Sequence, residues 1–106
     1  MISLVLDNLT KIADLSQRFD VVQLEVFGSA TTDRFDQTTS DVDFIFDFGV
    51  YSTGDAFRFI DFADELEQLL GRRVDLMTAG PIKNPYLRDA VNKLRVTIYA
   101  ARAVAA

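Results

Sequence analysis

Asp41 and Asp43 are separated by a single valine at the start of an apolar run, Val42, Phe44, Ile45, Phe46. On a strand, residues two apart leave the same face, with Cα atoms roughly 6.6 Å apart. Two carboxylates held that way repel each other unless a cation lies between them. Magnesium suits the task, because it takes one or two carboxylates and completes its shell with water and phosphate oxygens. Two such ions roughly 4 Å apart stabilise both the attacking and the leaving oxygen of an in-line displacement at phosphorus. A third carboxylate is then wanted from a neighbouring strand. Asp75, in the apolar run Arg73-Val74-Asp75-Leu76-Met77, is the candidate: an acid inside a strand that otherwise reads as buried.

The second half of such a site would come from Gly28 and Ser29, which follow a hydrophobic run ending at Phe27. Glycine lets the backbone turn sharply and approach a ligand closely. A helix starting at Ser29 would offer free N–H groups and a positive dipole end to phosphate, with the serine hydroxyl as one more donor. Arg34, in the same loop, could pair with a phosphate oxygen. Taken singly, each feature has a plainer explanation. Gly-Ser after a strand is most often a turn, Asp-x-Asp a solvated face, Asp75 an acid salt-bridged to Arg72 or Arg73, and Arg34 a surface residue. Their order is what favours a metal-dependent phosphoryl-transfer site. Asp47 shares the parity of Asp41 and Asp43 but lies further along the strand, and reads as structural.

These residues need elements to position them. Ile2, Leu6, Leu9, Ile12, Ala13, Leu15 and Phe19 recur at spacings near three and four, which predicts one amphipathic helix capped by Asp7 or Ser3, with Asp20 in the turn that ends it. Val22, Leu24 and Val26 alternate with Gln23, Glu25 and Phe27, a strand with one strongly apolar face. Residues 41–48 form a second strand, with Val42, Phe44, Phe46 and Phe48 on one side and Asp41, Asp43, Ile45 and Asp47 on the other. A helix follows from about Asp55, with Phe59, Phe62, Ala63, Leu66, Leu69 and Leu70 inward and Gly71 as its stop. Residues 73–77 are the third strand. Asn84-Pro85 starts another helix, with Leu87, Ala90, Val91 and Leu94 inward. Val96, Ile98 and Ala100 alternate as a last strand, a continued helix being the alternative. The pattern is α/β (α+β): a small mixed sheet covered by helices.

Composition sets bounds on what this arrangement can do. The 106 residues form one domain, long enough to bury a core without disulfides. Nearly half are apolar, nine of them Phe, which excludes a disordered chain. The absence of histidine removes imidazole acid–base schemes, and the absence of cysteine removes thiolate chemistry and fits a cytoplasmic protein. No apolar run reaches the length of a membrane span, and the N-terminus lacks the layout of a signal peptide. A net charge of −5 argues against an extensive nucleic-acid footprint. Phe44, Phe46, Phe48, Phe57, Phe59 and Phe62 are more than one thin sheet obviously buries. Core packing accounts for most of them, and an exposed remainder would mark an interface.

With Phe27-Gly28-Ser29, Asp41-Val42-Asp43 and Asp75 in this order, the chain resembles the DNA polymerase β-type nucleotidyltransferase superfamily. Within it the chain is similar to the small stand-alone MNT (minimal nucleotidyltransferase) proteins, over nearly its whole length. The resemblance implies a polymerase β-like fold and transfer of a nucleoside monophosphate, AMP from ATP in the first instance, to a hydroxyl with release of pyrophosphate. It implies that Asp41 and Asp43 hold two Mg²⁺ ions. Asp75 would ligate the ion nearer the nucleophile and help deprotonate the hydroxyl, while Gly28 and Ser29 hold the β- and γ-phosphates. It also implies a HEPN-domain partner, often an RNase toxin that the MNT protein silences by adding AMP to a tyrosine. Two departures are visible. Ala30-Thr31-Thr32-Asp33-Arg34 stands where the family often has Ala-Arg-Gly, and the loop from Ser29 to Asp41 is one residue longer than the commonest spacing.

Three functions follow for comparison. The first is an Mg²⁺-dependent enzyme acting on a hydroxyl of a partner protein, as the antitoxin of a HEPN-type toxin. The second is an antitoxin that neutralises its partner by contact, its acids a relic or a nucleotide sensor. The third, ranked last, is a small-molecule transferase of the aminoglycoside-modifying type, since those usually carry a substrate domain absent here. The acceptor site has to be completed by a second protein or by a homodimer partner.

Overall fold

The computed structural model describes residues 1–31, 41–49, 53–78 and 95–101. The loop carrying Arg34 and the helix expected from Asn84-Pro85 lie outside these residues.

The N-terminal segment forms two helices where the periodicity predicts one: α1, Ser3–Leu6, and α2, Leu9–Arg18. Asn8 makes the break. Its side-chain amide donates to the Leu4 carbonyl at 2.8 Å, and its backbone N–H turns instead to Val5 at 3.1 Å. An Asn side chain that satisfies a carbonyl in this way competes with the helical ladder. Neither expected cap is used: Asp7 ends α1, and Asn8 precedes α2 without a side-chain cap bond. Asp20 sits in the closing turn at φ 55, a conformation that Asp tolerates better than most residues.

Four strands make the sheet: β1, Gln23–Phe27; β2, Val42–Asp47; β3, Val74–Thr78; and β4, Val96–Ala100. Their order is β3-β2-β1-β4. β1 runs antiparallel to β2 and to β4, while β2 and β3 are parallel, so the sheet is mixed as expected. The parallel step requires a crossover, which α3, Asp55–Leu70, provides. Gly71 ends α3 in the left-handed conformation at φ 64, and its N–H bonds the Glu67 carbonyl at 2.8 Å. The segment from 96 is a strand, which settles the alternative of a continued helix.

The core lies between one face of the sheet and the helices. Leu24 and Val26 of β1 and Val42, Phe44 and Phe46 of β2 meet Val5, Ile12, Phe62 and Leu66 there. Aromatic rings supply much of the volume, with Phe46 between Phe48 and Phe59 at centroid distances of 4.6 and 5.4 Å. Most of the Phe excess is therefore core, and Phe57, 75% exposed on α3, is the clear exception among the described residues. The other sheet face is not simply solvated, since Ile45 and Glu25 are both buried on it. No described helix is long and apolar enough to cross a membrane.

Candidate active site

The site grows from the end of β1. At Gly28 the chain takes a left-handed backbone, φ 74, and enters a single 3-10 turn, Gly28–Thr31, instead of a longer helix. The Thr31 hydroxyl donates to the Gly28 carbonyl at 2.8 Å. From outside, the Ile2 N–H donates to the Ala30 carbonyl at 2.9 Å, pinning the turn to the N-terminal segment. Ser29 lies within this turn.

Strand register then brings the acids together. Phe27 pairs with Asp43 across β1 and β2, and Asp43 pairs with Asp75 across β2 and β3. Cross-strand partners point to the same face, so both carboxylates leave the sheet side by side, away from the helical core. Asp41 precedes β2 with the same parity as Asp43, and the following residue is tied to the third strand by Val42 N–H donating to the Arg73 carbonyl at 3.0 Å. Position 28 lies against this pair: a Cβ there would come within 3.1 Å of Asp43 Oδ2. The turn and the acid pair are one feature, and glycine is what lets them approach.

Asp43 is half-buried, and its pKa is raised from 3.8 to about 6. Burial is the largest cause, followed by the charge of Asp75, a side-chain hydrogen bond with Asp75, and the charge of Asp41. Two carboxylates this close repel each other, and a cation between them would relieve that repulsion. Among the described residues no three acidic side chains converge on one point, so the arrangement is a close pair with Asp41 beside it. Hard oxygen donors, held against mutual repulsion and open on one side, fit Mg²⁺, which needs only one or two carboxylates and takes water and phosphate oxygens for the rest.

Two details differ from expectation. β3 is the edge of the described sheet instead of a buried strand, and Asp75 and Met77 are exposed on it. The strand order, invisible in a local apolar run, decides this. The same face also holds a partly buried ion pair that spacing gave no sign of. Glu25, only 7% exposed, accepts from Arg95 Nη2 at 2.6 Å and Nε at 2.8 Å, a bond between residues far apart in sequence. That hydrogen bond, more than the charge of Glu25, pushes the Arg95 pKa up. Asp47 plays the structural part expected of it, its Oδ1 accepting from the Gly49 N–H at 2.7 Å.

Residues 10–98 match the family described as Nucleotidyltransferase domain. The chain belongs to this family. Its relatives include MJ0128 of Methanocaldococcus jannaschii, named as a candidate protein adenylyltransferase, 38% identical over 80 residues that cover 74% of this chain and 78% of that protein. A solved structure of a candidate minimal nucleotidyltransferase superposes with a TM-score of 0.68 at 26% identity, covering 87% of this chain and 90% of the other. The fold also matches a chain in the complex of the tri-AMPylated Shewanella oneidensis HEPN toxin with its MNT antitoxin, with a TM-score of 0.60 at 17% identity, over 92% of this chain and 73% of that one. The expected resemblance to minimal nucleotidyltransferases and the expected polymerase β-like fold are both borne out. For this nucleotidyltransferase the family fixes the reaction class as transfer of a nucleoside monophosphate.

Proposed function

We propose that the protein transfers AMP from ATP to a hydroxyl of a partner protein, using Asp41, Asp43 and Asp75 as the metal-binding acids. The observation that carries this reading is the strand register that sets Asp43 and Asp75 side by side, with Asp43 Oδ2 lying against the Gly28 turn. In this reading the turn from Gly28 through Ser29 seats the β- and γ-phosphates on backbone N–H groups. Arg34, outside the described residues, would add a cation there. Asp41 and Asp43 would hold two Mg²⁺ ions, with Asp75 a ligand of one of them. When bound, the ions supply charge neutralisation at phosphorus and at the leaving oxygens.

The acids then divide the remaining work. Asp75, on the exposed edge, meets the incoming hydroxyl and accepts its proton. The hydroxyl oxygen forms a bond to the α-phosphorus. The bond from that phosphorus to the oxygen bridging to the β-phosphate breaks, and pyrophosphate leaves with the electron pair. Asp43, central and half-buried, must be deprotonated to take part. In this chain, burial first and then the neighbouring Asp75 and Asp41 raise its pKa, which would reserve the charge for a bound cation.

The acceptor belongs to a HEPN-domain partner in this proposal, and the protein acts as its antitoxin. Support comes from the fold shared with the MNT chain class of the AMPylated toxin complex and from the adenylyltransferase naming of the sequence relatives. Incubation with labelled ATP, Mg²⁺ and the HEPN-type protein encoded beside it should label the partner. Asp41→Ala with Asp43→Ala should abolish the label, and no transfer by the wild type to its authentic partner would sink the proposal.

One observation favours a second reading, neutralisation by contact. Asp33 stands in the loop that should meet phosphate, where the family often has Ala-Arg-Gly. Under that reading the Asp41/Asp43 double variant still protects cells from the toxin. Under the enzymatic reading protection is lost.

A further inference from the structure

Gly28 takes a left-handed backbone at φ 74 and lies against Asp43 Oδ2, so its conformation sets how closely the turn approaches the acid pair. Glycine is also the residue least able to hold a conformation on its own, since positive and negative φ are about equally open to it. Something else has to fix it. The far end of the turn is held by packing and by the N-terminal segment. Ala30 is fully buried, the Ile2 N–H donates to its carbonyl at 2.9 Å, and the Met1 nitrogen donates to the Thr31 carbonyl at 2.9 Å. None of these contacts acts on Gly28 itself.

The Thr31 side chain does act on it. Its hydroxyl donates back to the Gly28 carbonyl at 2.8 Å, a bond between residues three apart that is partly shielded from water. Threonine makes such local bonds to the backbone readily. The peptide group from Gly28 to Ser29 is trans and planar, so holding its carbonyl oxygen also fixes the direction of the Ser29 N–H on the opposite edge. One hydroxyl thereby restrains both the left-handed residue and the N–H that follows it.

Thr31 follows Ala30 at the place where the Ala-Arg-Gly run has its arginine. A threonine there cannot meet phosphate with a charge. It can restrain the backbone that meets phosphate, and a group already held in its bound geometry loses less freedom when a ligand arrives.

We propose that Thr31 is a positioning residue of the candidate active site: its hydroxyl holds the Gly28 turn against Asp43, and binding of the nucleoside triphosphate depends on that bond. The inference rests on the nucleotide-transfer reading, in which this turn seats the β- and γ-phosphates. Thr31→Val keeps the shape of the side chain and removes the donor, whereas Thr31→Ser keeps the donor. The full chain is titrated with a non-hydrolysable ATP analogue and Mg²⁺. Thr31→Val should bind about three- to tenfold more weakly, the net contribution of one hydrogen bond, and Thr31→Ser should bind like wild type. In turnover assays KM for ATP should rise in Thr31→Val while kcat changes less. In the wild type, the Ser29 amide resonance should shift when the analogue is added, a readout that needs no variant to fold.

A bond that served only the fold would lower the melting temperature of Thr31→Val and leave the affinity of the folded protein unchanged, which overturns the proposal. Equal weakening in Thr31→Val and Thr31→Ser overturns it too, because the hydroxyl is then not what matters. So does a Ser29 amide that stays still in a wild type that binds the analogue. A wild type that binds no analogue overturns the transfer reading and this proposal together. Binding lost in Asp41→Asn/Asp43→Asn but unchanged in Thr31→Val keeps the first and rejects the second.

Discussion

At position 28 the backbone is left-handed and the space a Cβ would take lies 3.1 Å from Asp43 Oδ2. Gly28→Ala therefore meets two penalties, one conformational and one steric. The conformational part should lower stability by about 1 kcal/mol, seen as a drop in the denaturation midpoint. The steric part falls on a carboxylate that the proposed reaction uses, so transfer activity should drop by more than the stability loss predicts. An alanine variant with wild-type activity would mean that the approach of turn and acid is not needed. At this scale the sequence was informative about residue types and silent about contacts. Asp41, Asp43 and Asp75 could be picked out by parity and by the oddity of an acid in an apolar run. Glu25 and Arg95 could not, because nothing local marks two residues that meet only when β4 returns beside β1.

Among the elements, β2 carries both the core and the acids, and its two faces respond differently to change. Phe44 is fully buried against the helices. Phe44→Ala should cost about 3–5 kcal/mol through lost burial and the cavity left behind, a large share of the stability of a domain this size. Met77, on the acid-bearing face of the edge strand β3, is 42% exposed. Met77→Thr should change stability by no more than about 0.5 kcal/mol, as exposed substitutions commonly do. Chemical denaturation of the two variants side by side checks the contrast, and similar losses in both would mean that β3 is covered in solution. The amphipathic stripe of α3 was legible because a 3.6-residue period is a local signal, and Phe62, Leu66 and Leu70 are buried as it requires. The edge position of β3 was not legible, since it follows from pairing between distant strands. The break at Asn8 was missed for a related reason. Periodicity continues through it, and only the side-chain bond to the Leu4 carbonyl interrupts the helix.

For the molecule as a whole, the acid pair ties folding to pH and to metal. The Asp43 pKa is raised from 3.8 to about 6 by burial and by its acidic neighbours. Between those two values the folded protein holds a proton that the unfolded chain has released. Its contribution to stability is therefore full below about pH 4, falls as pH rises toward 6, and stays low above that. After discounting for partial exposure, the change attributable to Asp43 is about 1 kcal/mol. Metal-free Asp43→Asn should lack this slope and should be more stable than wild type at pH 7.5. Magnesium should act in the opposite sense, because it binds the deprotonated acids. In wild type it should raise the melting temperature at pH 7.5 and do little at pH 5, and in Asp43→Asn it should do little at either. The chain carries a net charge of −5 at pH 7, and that charge shrinks on acidification, so the scans belong at low protein concentration to limit association. The comparison between wild type and variant isolates Asp43 from the other carboxylates. If the wild-type minus variant difference grows more favourable from pH 5 to 7.5 without metal, the raised pKa is wrong. If magnesium stabilises both proteins equally, the ion is bound somewhere other than at Asp43.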